Sequence, residues 1–217
     1  MIMKNLGNLL IFGDSYSTFY GHIPQGNAWY YGNRADTECL KVLKVDDTWW
    51  GRLINATNAN LLLNESYSGS TICYTGWNGY CEEQSFIARL EKRIQEKLFE
   101  NNQVDTLLLF GGTNDCWVPS PFGEIGKNSF EKEDLAKTFP ALEYFLMRVK
   151  QVSPNTRVIG LINTGFPQEF TKNLQTIFEN AGVEYIAFDY IEKGQGHPND
   201  KGMQMICDAI LTYLQKA

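Results

Sequence analysis

Five short apolar runs, Leu9 to Gly13, Asn60 to Asn64, Thr106 to Gly111, Arg157 to Ile162 and Glu184 to Phe188, recur along this chain with stretches of helical length between them. That alternation leaves little choice of architecture. A strand buried on both faces reads as a continuous hydrophobic run, and parallel neighbours need a crossover, usually a helix. The pattern therefore predicts an α/β fold of βαβ units around a parallel sheet. Helices are expected at residues 47–57, 83–100, 133–152, 168–181 and 199–216.

The helix signal is clearest from Phe86 to Phe99. Phe86, Ile87, Leu90, Ile94 and Leu98 recur at near 3.6 spacing, with Arg89, Glu91, Lys92, Arg93 and Glu96 among them as a solvated face. At the far end, Asn199-Asp200 makes an N-cap for a last helix whose apolar face is Met203, Ile206, Ile210 and Leu214. A length of 217 residues suits one domain spanning 1–217, with neither an internal repeat nor a low-complexity segment.

Composition narrows the function classes. The formal charge is −6 and the basic residues are scattered, so the footprint of a nucleic-acid binder is missing. The five cysteines, Cys39, Cys73, Cys81, Cys116 and Cys207, are odd in number and lack metal-type pair spacing, which points to reduced thiols. Neither a secretory leader nor a membrane span is evident, and a cytoplasmic location is the expectation. Acidic charge and aromatic content suit a monomer or a homodimer.

The chemistry-bearing residues gather where strands end. Gly13-Asp14-Ser15-Tyr16-Ser17 closes the first apolar run, and in open α/β sheets ligands bind outside the carboxyl ends of the strands. Ser15 therefore stands at the mouth of the sheet. No glycine follows it two residues later, so this is not the Gly-x-Ser-x-Gly elbow. After the second run comes Asn64-Glu65-Ser66-Tyr67-Ser68-Gly69-Ser70-Thr71, where Gly69 can present a backbone N–H with no side chain in the way. After the third comes Gly111-Gly112-Thr113-Asn114-Asp115, and near the C-terminus Gly196-His197-Pro198-Asn199.

Taken together, these four segments resemble the SGNH (GDSL-type) hydrolase family across nearly the whole chain. The resemblance implies a three-layer α/β/α, flavodoxin-like fold with a five-stranded parallel sheet. It implies Ser15 as nucleophile, Gly69 and Asn114 as oxyanion donors beside the Ser15 N–H, and His197 as general base. It further implies an esterase or acyl hydrolase working on a small-molecule ester through an acyl-enzyme, with no cofactor and no metal. The physical roles agree. A serine hydroxyl needs a base that titrates near neutrality, and an oxyanion needs donors aimed at it.

The remaining residues have plainer readings. Asp14 is a turn-former bonding nearby backbone N–H groups, and Asp115 an Asx-type turn residue or helix cap. His22 is structural or pocket-lining. Two stretches, Phe19 to Asp46 and Cys116 to Ser129, follow strand ends, and their rings Trp29, Tyr30, Tyr31, Trp117 and Phe122 either line a substrate pocket or pack the loops down. Trp117 and, among the hydroxyls around Gly69, Ser70 are the expected substrate contacts.

One position departs from the family pattern. The acid that usually stands three residues before the histidine is replaced by Gly194, and neither Gln195 nor Gly196 carries a carboxylate. Three arrangements keep Ser15 and His197. A backbone carbonyl between Glu192 and Gln195 fixes the imidazole in a dyad, or Glu192 or Asp189 reaches it through a rearranged loop, or activity is degraded and the protein is a binding module. Nucleotide or phosphate binding lacks its glycine motif, and two distant histidines make a thin ligand supply for a metal hydrolase.

Overall fold

The computed structural model describes residues 5–32, 35–118, 120–127 and 129–216. In chain order its elements are β1 (Asn8–Gly13), α1 (Trp49–Thr57), β2 (Asn60–Ser66), a hairpin of β3 (Thr75–Gly76) and β4 (Gly79–Tyr80), then α2 (Phe86–Gln95) and α3 (Leu98–Asn101). There follow β5 (Thr106–Phe110), α4 (Thr113–Trp117), α5 (Thr138–Val152), β6 (Arg157–Ile162), α6 (Gln168–Ala181), β7 (Glu184–Ala187), a second hairpin of β8 (Lys193–Gly194) and β9 (His197–Pro198), and α7 (Asp200–Lys216).

The large sheet has the order β2-β1-β5-β6-β7, and every neighbouring pair is parallel. That is the flavodoxin-like order, whose switch point lies between the first and third strands of the sheet, here β1 and β5. Alternating side chains serve two cores. Leu9, Ile11, Leu108 and Phe110 pack with Trp49, Leu53, Met203, Ile206 and Ile210 of α1 and α7. Leu10, Phe12, Leu107 and Leu109 pack with Phe86, Leu90, Phe145, Leu174 and Phe178 of α2, α5 and α6. With both faces covered, the sheet is the middle of three α/β/α layers. Among the described residues, no helix is long and apolar enough to cross a membrane.

Each expected strand forms within two residues of its predicted bounds. The expected helix over 83–100 is broken instead. Ser85 caps α2 by accepting the Ala88 N–H at 3.1 Å, but the helix stops at Gln95 and Lys97 turns left-handed at φ 60° before the short α3. The apolar spacing continues through the break because Ile94 and Leu98 still reach the same core. Likewise the helix expected from 133 begins only at Thr138, after a run of turns. The N-cap at the last helix is as expected, Asn199 Oδ1 accepting the Gly202 N–H at 2.9 Å.

Candidate active site

The chain leaves β1 through a tight 3-10 turn, Ser15–Ser17. Asp14 caps it by accepting the Tyr16 N–H at 3.0 Å, the turn-forming role its sequence context suggests. Full burial pushes the Asp14 carboxyl up to about 7, against the pull of the Tyr16 N–H and the Thr113 hydroxyl. The turn leaves Ser15 Oγ 2.9 Å from His197 Nε2, although the two residues are 182 positions apart.

His197 sits on a hairpin whose two loop residues, Gln195 and Gly196, have φ of 53° and 79°. Two positive φ values in a two-residue loop match the right-handed twist of flanking strands. The turn folds the Gln195 carbonyl back to 3.2 Å from His197 Nδ1. A carbonyl only accepts, so Nδ1 carries the proton and Nε2 turns its lone pair toward the serine hydroxyl. Burial, reinforced by the positive charge of Lys193, pushes the imidazole down to about 4, while the Gln195 bond works the other way. The ring is therefore neutral at pH 7.

Among the described residues, neither Glu192 nor Asp189 bonds the imidazole. Glu192 Oε2 pairs with Lys201 Nζ at 2.7 Å and its Oε1 accepts from Asn199 at 2.9 Å; Asp189 lies exposed. At position 194 a side chain would meet Leu40, whose Cδ2 stands 2.7 Å from where a Cβ would be. The hairpin is instead held by two tyrosines. Tyr16 donates its hydroxyl to the Gly196 carbonyl at 2.6 Å and Tyr31 to the Pro198 carbonyl at 2.7 Å. Tyr30 stacks face to face on the imidazole, with ring centroids 3.5 Å apart and planes 11° from parallel.

Register brings the expected oxyanion donors to the same edge. Gly13 lies beside Ser66 of β2 on one side and Phe110 of β5 on the other, so the segments holding Gly69 and Asn114 leave strands adjacent to that of Ser15. Gly69 has φ 83°, a left-handed conformation that favours glycine. Asn114 Nδ2 donates to the Ser70 carbonyl at 3.0 Å, which ties the two segments together.

Ser70 is engaged within the protein. It is buried, and its hydroxyl donates to the Tyr67 carbonyl at 2.8 Å and accepts from Arg89 Nη2 at 3.1 Å, so it braces the loop. Arg89 also donates to the Glu65 and Gly13 carbonyls, joining the ends of β1 and β2 beneath the site. Asp115 is likewise neither turn residue nor cap. Its carboxylate accepts from the Ile72 N–H at 3.0 Å, the Cys73 N–H at 3.4 Å and the Thr138 hydroxyl at 3.2 Å, so it crosses to another loop.

The loop rings divide between the two expected fates. Trp117 is 46% exposed and edge-on to His197, with centroids 6.1 Å apart. Phe122 packs on Phe139 and Phe170, Trp29 on Tyr20, and His22 is exposed against Phe19 and Trp50. Sequence reasoning missed Tyr16, Arg89 and Trp77. Their partners are main-chain atoms or residues of other segments, and no local pattern advertises them.

Fold and residues together define the class: a flavodoxin-like α/β/α protein with a paired serine and histidine at the carboxyl edge of its sheet. The family model described as GDSL-like Lipase/Acylhydrolase matches residues 7–214, and the chain belongs to that family. It is similar to a protein from Bacteroides uniformis assigned as a GDSL-like lipase, at 36% identity and TM-score 0.88 with 97% of each chain covered. Its counterpart from Bacteroides ovatus gives 34% identity and TM-score 0.88, over 99% of this chain and 100% of that one. An acetyl xylan esterase from Butyrivibrio proteoclasticus shares the fold at 17% identity and TM-score 0.62, over 99% of this chain and 64% of that one. Comparison with curated proteins gives no significant match.

Proposed function

We propose that this protein is a serine ester hydrolase working through a Ser15–His197 dyad. The observation that carries the reading is the 2.9 Å contact between Ser15 Oγ and His197 Nε2, with Nδ1 occupied by the Gln195 carbonyl. In the first half-reaction Oγ attacks the ester carbonyl carbon while its proton passes to Nε2. The carbonyl π electrons move onto oxygen, and the oxyanion is held by the Ser15 and Gly69 N–H groups and the Asn114 amide. Collapse expels the alcohol, which takes the proton from Nε2, and leaves the acyl group on Ser15. In the second half-reaction His197 takes a proton from water, the hydroxyl attacks the acyl carbon, and Ser15 recovers its proton from Nε2 as the acid departs.

No side-chain carboxylate is needed in this scheme. The Gln195 carbonyl orients the ring, and burial keeps it neutral and ready as a base. The substrate class is an ester of a small acyl group, acetyl esters of carbohydrates among them. Family membership and the likeness to carbohydrate esterase structures support this choice, as does the exposed face of Trp117 beside His197, suited to stacking on a sugar ring.

The test is p-nitrophenyl acetate hydrolysis by the wild type and Ser15→Ala, both shown folded by circular dichroism. The wild type is expected to turn over and the alanine variant to fall by about a thousandfold or more. Equal, background-level rates together with no fluorophosphonate labelling of Ser15 would leave a binding protein in place of an enzyme.

A further inference from the structure

Trp77 stands between β3 and β4, 55% exposed, and takes no part in the scheme above. Its indole Nε1 donates to Asn114 Oδ1 at 3.1 Å, while Asn114 Nδ2 donates to the Ser70 carbonyl at 3.0 Å. An indole N–H only donates and a peptide carbonyl only accepts, so the amide is keyed from both ends. Its oxygen must face Trp77 and its nitrogen must face Ser70. Of the two N–H bonds on Nδ2, Ser70 takes one, and the other has no protein acceptor among the described residues.

We propose that Trp77 is a positioning residue that holds the Asn114 amide with its nitrogen, not its oxygen, toward the reacting carbonyl. This rests on the reading of Asn114 as an oxyanion donor. An amide turned the other way would set a carbonyl dipole against the developing negative charge, replacing stabilisation with repulsion at the transition state. The same ring runs beside the second expected donor: a Cβ on Gly69 would lie 3.8 Å from Trp77 Cδ1 and 3.9 Å from Nε1.

The support behind Trp77 is firm. Thr75 Oγ1 donates to the Ala136 carbonyl at 2.8 Å and the Thr75 carbonyl accepts from Ser120 Oγ at 2.9 Å, while the Cys81 N–H closes on the Tyr74 carbonyl at 2.6 Å. Asp115, next to Asn114, grips the Ile72 and Cys73 N–H groups at the root of the same hairpin. One short helix thus fixes both the amide and the stem that carries its partner.

The deciding experiment compares wild type, Trp77→Phe, Asn114→Ala and the double variant on p-nitrophenyl acetate, with thermal melts of all four. Phenylalanine keeps an aromatic ring on the hairpin but removes the N–H together with the rest of the five-membered ring, so the double variant is what separates the lost donor from the lost bulk. The expected result is a kcat about tenfold lower in Trp77→Phe with KM within threefold and an unmoved pH profile. In the Asn114→Ala background the same change should cost less than twofold, because its target is gone. An unaltered kcat in Trp77→Phe, or losses that multiply in the double variant, would overturn the assignment. Full activity in Asn114→Ala would sink the oxyanion reading beneath it, a distinct outcome.

Discussion

The Glu192 carboxylate pairs with the Lys201 ammonium at 2.7 Å, tying the nearest upstream acid to the first turn of α7. The imidazole five residues on is oriented by main chain instead. Glu192→Gln and Asp189→Asn should therefore each leave ester turnover within a few-fold of wild type. A loss of a hundredfold or more in steady-state assays of either variant would name that residue as the acid and refute the dyad.

Only neutral His197 can accept the Ser15 proton, so kcat/KM should rise with pH through the imidazole pKa of the free enzyme. Burial and Lys193 hold that pKa at about 4, well below the usual 6.5. The acidic limb should accordingly lie well below pH 6, with a flat plateau across neutrality. Replacing the ammonium by Lys193→Met should move the limb toward higher pH. A limb at 6.5 or above in the wild-type profile would mean that the ring is more solvated, or nearer to an acid, than the structure has it.

Tyr16 ties the Ser15 turn to the His197 hairpin through its 2.6 Å bond to the Gly196 carbonyl. Tyr16→Phe leaves that carbonyl without its partner and frees the hairpin to drift from Oγ. The expected loss is about 1 kcal/mol of stability in urea titrations and about tenfold in kcat. A stability loss with undiminished kcat would confine Tyr16 to the scaffold.

The sequence carries the sheet plainly because a doubly covered parallel strand needs apolar residues on both faces, and Leu9 to Phe12 or Leu107 to Phe110 can hardly be read otherwise. Ser15 and His197 are legible because each lies in a short motif at a strand end or helix start. Helix ends are less so. The break at Lys97 depends on backbone conformation, whereas the apolar spacing runs on undisturbed. The contacts of Ser70 and Asp115 are hard to read for a shared reason, since their partners Arg89, Ile72 and Thr138 come from other segments. Trp77 was invisible because its importance lies in which atom of Asn114 it meets, a matter of atomic orientation that residue spacing does not encode.

The Gln195 carbonyl carries an evolutionary consequence. A triad aspartate can be erased by a single codon change, but every amino acid at position 195 brings the same peptide oxygen. The base's tautomer is thereby insulated from point mutation where it would ordinarily be most exposed. Vulnerability moves to the shape of the turn: to Gln195 and Gly196, whose φ of 53° and 79° few residues adopt, and to the two-residue loop length, which an insertion or deletion would alter. Lineages descended from such a protein should keep at 195 residues that accept a left-handed backbone, whatever their side chain, and allow little change in the spacing around it.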